Sequence, residues 1–323
     1  MKKNQKICPA TRVGGQAVLE GIMMKSGTRV CTAVRLENGD IKTDEREHVS
    51  VTKKIKFLKL PIIRGFVNFV ETLILSMSIL TFSAEAQGIE EEPTKFEKWL
   101  EKHFGKSVMA IAAGIGSVLG ILLAILLFFY LPMGISKLVD ALIPLSHVVK
   151  SILEGVVKIA IFLLYIWLTS FMPDIRHTFE YHGAEHKSIF CHEKGLPLTV
   201  ENIREQSRFH PRCGTSFMFV MMLLGIVISA CLPASLWNSL LLRVLVKLLI
   251  LPVTVGLGYE IIIYAGTHDN VILNALTAPG KWFQRLTTRE PSDKQIECAI
   301  VALKMALPDI YPPETVFDGI ELP

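Results

Sequence analysis

The first twenty residues contain no apolar run that could serve as the core of a cleavable signal peptide, so none is expected. The six cysteines, at 8, 31, 191, 213, 231 and 298, lack the spacing of a disulfide framework. Free thiols or metal ligands are therefore expected in place of disulfides. P-loop and GxGxxG signatures are missing; the pair Gly14-Gly15 reads as a turn or a close backbone approach rather than a phosphate cradle. No internal repeat or low-complexity tract is present. The informative absence is charge, which disappears over long stretches. Half of the residues are hydrophobic and the mean hydropathy is +0.42, too apolar for an ordinary soluble domain.

What remains is a mainly α integral membrane protein with four transmembrane helices. Ser107 to Leu131 is uncharged and would reach ~37 Å as a helix, more than the ~30 Å hydrocarbon core. Cys213 to Leu242 is also uncharged, with Pro233 marking where its helix gives out. Ile152 to Met172 carries Glu154 and Lys158 as an i,i+4 pair, and Leu248 to Gly266 carries Glu260 alone. Twelve Lys and Arg precede residue 58, six fall in 173–212 and five follow Gly266, while the other two connections hold two each. Four crossings with both termini cytoplasmic satisfy these counts and place the chain in the cell membrane.

Phe57 to Ala84 is apolar enough for a fifth crossing, but that would move the basic amino end to the outer side. Arg64, Asn68 and Glu71 form one stripe, so an amphipathic or re-entrant helix fits better. The expected organisation is a small N-terminal cytoplasmic β unit over 1–57, this helix over 58–84 and a charged linker over 85–106. A four-helix membrane domain follows over 107–266, with a cytoplasmic His/Glu-rich connection at 173–212, and then a tail over 267–323. In the β unit, Val30 to Leu36 and Asp40 to Asp44 flank the hairpin turn Asn38-Gly39. In the tail, Ser292 and Gln295 spell a capping box, and Ile296, Ile300, Leu303 and Leu307 line one helix face.

The chemistry concentrates in "EYHGAEHK", Glu180 to Lys187. His182 and His186 stand one helical turn apart, a spacing that grips zinc, and Glu185 could act as general base. The string matches the H-x-x-E-H arrangement of inverted zinc peptidases. Cys213 is the expected third ligand, with His210 or Glu260 as a fourth, although a buried Glu260 could instead pair with Arg64 or Arg212; His268 and Asp269 follow the last span on the same side. Glu201 is an alternative base, and Arg212 would stabilise an anionic intermediate or hold a lipid phosphate. His177 and His192 read as solvated.

Five segments, "GGQAVLEGIMM", "EYHGAEHK", "LTVEN", "HPRCGTSF" and "LTTREPSDKQIE", resemble the bacterial and plastid YqhQ-like membrane proteins, catalogued as a domain of unknown function. The resemblance runs from about Val13 to Leu307 and implies a metal-dependent enzyme, with His182, Glu185, His186, Glu201, His210, Arg212 and Cys213 at the matching positions. Two functions are thus expected to compete. One is a zinc-dependent hydrolase acting on membrane peptides or lipid head groups at the cytoplasmic face. The other is a non-enzymatic assembly or quality-control factor whose metal is a structural clip. Membrane lipids and membrane-protein clients are the expected partners, and nothing points to nucleic acid. Transport ranks last, because the spans carry few polar residues to line a path.

Overall fold

The computed structural model describes residues 13–88, 106–210, 213–233, 239–265, 271–318 and 320, the side chains of 106–114, 240, 265 and 271–277 excepted. Four strands come first: β1 (Val13–Val18), β2 (Gly21–Ser26), β3 (Arg29–Arg35) and β4 (Ile41–Glu47). The helices are α1 (Ile63–Ala86), α2 (Lys106–Ile125), α3 (Leu131–Leu142), α4 (His147–Thr169) and α5 (Pro173–Glu193). After them come α6 (Val200–Arg204), α7 (Gly214–Ala230), α8 (Leu240–Ala265), α9 (Val271–Thr287) and α10 (Asp293–Ala306). The chain divides into two units, one of Met1–Gly88, Ile166–Val220 and Val255–Pro323, the other of Ile89–Tyr165 and Met221–Thr254.

In the first unit the strands form an antiparallel meander in the order β1-β2-β3-β4. The turns use glycine where a positive φ is required, Gly27 at 61° and Gly39 at 93°. The hairpin read from Asn38-Gly39 is present, joining Arg29–Arg35 to Ile41–Glu47. β2 and β3 are buried along most of their length rather than on alternate residues, because both faces of the sheet are covered. On one face Ile22, Met24, Cys31 and Ala33 pack with Tyr181 and Ala184 of α5 and with Ile296, Ile300 and Leu303 of α10. On the other, Val18, Met23, Val30 and Val34 pack with Ile79 of α1, backed by Leu75, Leu80 and Phe82. α10 starts at the capping box of Ser292 and Gln295, and its apolar face enters the core as its spacing predicts. Arg35 then fastens β3 to α10, binding the Glu297 carboxylate and the Lys294 carbonyl.

Among the described residues, four helices are long and apolar enough to cross a membrane: Ile63–Ala86, Ile115–Leu142, His147–Thr169 and Leu241–Tyr264. Two differ from the sequence reading. The expected span from Cys213 contains α7, whose 17 residues reach only ~26 Å. The expected span ending at Leu131 continues to Leu142, since a π-turn over Leu126–Tyr130 accommodates the missing N–H of Pro132 and the helix need not stop.

Over 58–84, where an amphipathic or re-entrant helix is expected, α1 is one unbroken helix of 24 residues with no breaker after Gly65, and it is itself among the four long apolar helices. Its polar stripe is engaged by the chain itself. Arg64 binds both oxygens of Glu260, Asn68 donates to the Tyr259 hydroxyl at 2.8 Å, and Glu71 accepts the Val51 N–H at 2.7 Å. The approach to α8 needs glycine on both sides, because a Cβ on Gly65 would lie 2.9 Å from the Gly256 carbonyl oxygen and one on Gly256 would lie 2.2 Å from that of Ile62.

In the second unit the apolar residues face outward. Ile115, Val118, Leu119, Ile121, Leu122 and Leu123 of α2 are all more than half exposed. The charges turn inward: Glu154 of α4 is buried and accepts from Arg243 and, at 2.7 Å, from Lys247 of α8.

Candidate metal centre

Tyr181 to His192 is the most deeply buried part of α5, wedged between the sheet and α10. One turn apart on this helix, the His182 and His186 rings have centroids separated by 4.4 Å. Each ring is fixed through Nδ1, which donates to the Thr287 carbonyl at 2.9 Å in His182 and to the Arg208 carbonyl at 2.5 Å in His186. A carbonyl can only accept, so Nδ1 carries the proton and Nε2 keeps its lone pair in the neutral ring. His182 Nε2 lies 3.2 Å from Cys213 Sγ, and His186 Nε2 is buried without a hydrogen-bond partner among the described residues. These two nitrogens and the sulfur lie within 4.8 Å of one another.

That donor set fits a divalent ion of borderline softness. Tetrahedral bonds of ~2.0–2.3 Å space their ligand atoms ~3.3–3.8 Å apart, so a contraction of about 1 Å would close the site. Hydrogen-bonding the far nitrogen of a histidine to a carbonyl is the usual way to orient a ligating imidazole.

Small residues and one amide bring the three side chains together. A Cβ on Gly183 would sit 2.0 Å from the Arg289 carbonyl oxygen, so only glycine lets the 287–291 segment cross α5 and present Thr287 to His182. Arg289 N–H donates to the Phe179 carbonyl there, at 2.9 Å. Gln284 of α9, fully buried, accepts the His210 N–H and donates to its carbonyl, both at 2.8 Å. α9 also crosses the start of α7 closely, since a Cβ on Gly280 would lie 2.5 Å from Ser216 Cα. Cys213 precedes α7, its sulfur accepting from the Thr215 hydroxyl at 3.3 Å.

Glu185 is buried on the side of α5 that faces β1. Its carboxylate meets the Gly15 backbone, where a Cβ would come within 2.8–2.9 Å of it. Burial pushes the Glu185 carboxyl upward, against the fields of His182 and His210 and the Gly15 hydrogen bond. The His210 ring stacks near Phe190 at 4.6 Å and lies 5.6 Å from that of His186, with Nε2 3.7 Å from Glu193. Burial lowers His186 and takes His210 down to about 4.

Other expected residues lie apart. Glu260 is engaged by Arg64, and ion pairing within the helices rather than ligation accounts for it. Glu201 is exposed in the first turn of α6, hydrogen-bonded to Thr199 and to its own backbone, and is not in the cluster. Arg212, His268 and Asp269 lie outside the described residues. His192, read as solvated, is buried and bonded to the Tyr311 hydroxyl at 3.0 Å, because its face of α5 meets the tail. His177 pairs with Glu20 at 2.9 Å. Gln284, Thr287 and Gly183 escaped sequence reasoning, since a lone amide, a carbonyl and a glycine carry no ligand signature, whereas the close backbone approach read at Gly14-Gly15 is present at Gly15, against Glu185.

Residues 60–309 match the family model described as "Protein of unknown function (DUF1385)". The chain belongs to this family. It is also 36% identical over 299 residues to the "Uncharacterized protein YqhQ" of Bacillus subtilis (strain 168), with 91% of each chain covered. No solved structure matches. His182, His186, Cys213, Gln284 and Thr287 all fall within the DUF1385 match, whereas the β-meander precedes it.

Proposed function

We propose that this DUF1385 protein is a membrane-embedded, zinc-dependent hydrolase whose His182, His186 and Cys213 hold the ion at the cytoplasmic face. The supporting observation is the pair of imidazoles tied by Nδ1 to backbone carbonyls, with both Nε2 atoms directed toward one thiol. Three protein ligands leave a fourth position open, the arrangement of catalytic rather than structural zinc. When bound, zinc supplies Lewis acidity to a carbonyl or phosphoryl oxygen of a membrane peptide or lipid head group. Glu185 accepts the proton of the attacking water, a role suited by a carboxyl whose pKa is raised. In this reading α2–α3, α4, α7 and α8 cross the membrane, both termini are cytoplasmic, and α1 lies along the membrane surface. The sheet packed on one side of α1 and its exposed Leu73, Ile74 and Met77 on another favour that surface placement over a crossing.

A structural clip is the second reading, favoured by the His210 ring beside His186, which offers a fourth protein ligand. Metal analysis of the purified full-length protein with cellular complementation separates the two. Catalysis predicts that His182→Ala and Cys213→Ala lose the ion, while Glu185→Gln keeps it and fails to complement. If Glu185→Gln complements fully and the metal-free variants disappear from the membrane, the clip is correct. If wild-type protein binds no divalent metal, both readings fail.

A further inference from the structure

A second feature, unrelated to the histidines, lies wholly within residues 89–165 and 221–254. A cavity of about 260 Å³ opens among α3, α4, α7, α8 and the π-turn. Phe128, Met222, Ile226 and Leu251 make most of its wall apolar, yet Glu154, Lys158 and Lys247 also line it. Glu154 already serves Arg243 and Lys247. Lys158 makes no hydrogen bond among the described residues, its ammonium lying 4.8 Å from the centre of the Phe129 ring. The Ser151 hydroxyl, 1% exposed, lines the same cavity with no hydrogen-bond partner among the described residues. An ionisable lysine in an apolar helix marks a functional site by default, and an ammonium beside a free hydroxyl in an otherwise apolar cavity suits a carboxylate or phosphate, which accepts charge-assisted hydrogen bonds.

We infer that this cavity binds a single-chain anionic amphiphile, its carboxylate or phosphate on Lys158 and Ser151 and its chain along the apolar wall. The volume equals roughly nine waters at ~30 Å³ each. That holds a head group and part of one chain, and excludes a two-chain lipid from the interior.

The test is photocrosslinking of a diazirine-bearing decanoate to full-length protein in a neutral detergent, with labelled peptides mapped by mass spectrometry. Labelling is expected on α4 and α7, competed by decanoate and decyl phosphate but not by decanol or inorganic phosphate. Lys158→Met should reduce it at least fivefold. Gly225→Leu should do the same: Gly225 lines the cavity and a Cβ there meets nothing within 4 Å, so the larger side chain is expected to occupy the cavity, and an unchanged melting temperature checks that the fold is kept. Equal competition by decanol would reduce the site to a greasy void. Equal competition by inorganic phosphate would make it a plain anion site. Labelling scattered over lipid-facing residues and indifferent to both variants would remove it altogether. Any of these three results overturns the inference.

Discussion

Ile296, Ile300 and Leu303 of α10 are sealed at 2% exposure or less, whereas Leu119, Ile121 and Leu122 of α2 are each more than half exposed. The charges run the other way. Glu20 and His177 meet at the surface of the sandwich built on the sheet, while Glu154 and Arg243 are buried among the apolar helices. One region buries its apolar side chains and the other exposes them, the inversion that a medium unable to hydrogen-bond would favour. The same side chains therefore contribute differently in the two places. A leucine removed from water stabilises the sandwich, but a leucine facing lipid gains nothing by contact with another leucine.

The largest test of that inversion is Glu154→Ala. Removing the carboxylate takes from Arg243 and Lys247 the anion they share, and breaking such a buried pair costs about 3–5 kcal/mol. Denaturation in detergent should show the loss, and a variant as stable as wild type would mean that water reaches the cluster. Next is a matched pair of truncations. Ile300→Ala should cost about 2–5 kcal/mol by opening a cavity in the sandwich. Leu122→Ala should stay within about 0.5 kcal/mol, because its side chain is more than half exposed and little protein packs on it. Equal costs would erase the contrast.

Gly15→Ala probes the join between the sheet and the histidine helix. The added methyl must displace either the Glu185 carboxyl group or β1, an overpacking cost of about 1–3 kcal/mol. Thermal unfolding measures it. Under the hydrolase reading, complementation should fall further than stability alone explains, since the base itself is moved.

The legible parts were those written locally. Asn38-Gly39 sets a turn through the φ of one glycine, Ser292 and Gln295 cap a helix, and Ile296 to Leu303 repeat at helical spacing. Uncharged runs located most of the apolar helices, and the 64/68/71 stripe identified a face of α1 that meets partners. What stayed hidden was tertiary. The lone charge of Glu260 implies a cationic partner, but nothing near it in the chain chooses Arg64, 196 residues away, over Arg212. A π-turn that carries a helix past Pro132 leaves no pattern in composition. The histidine pair was visible from its spacing, but the carbonyls that orient it come from residues 208 and 287 and have no side-chain signature at all.

The smallest effect is expected at His177, and its sign is fixed by its partner. The hydrogen bond to Glu20 raises the His177 pKa in the folded chain. Stability from this pair is thus fully present below the unfolded value of ~6.5 and fades as pH rises through the folded one. Both side chains are substantially exposed, 54% and 38%, so the contribution is a few tenths of a kcal/mol after solvent screening. Melting temperatures of wild type and His177→Gln should therefore differ slightly at pH 5.5 and coincide at pH 8.5. Salt at ~1 M, where the screening length is ~3 Å, should remove the difference. The same salt should leave the Glu154→Ala deficit unchanged, because counterions do not enter an apolar interior. If both respond alike, the two regions share one solvent and the inverted reading of the second falls.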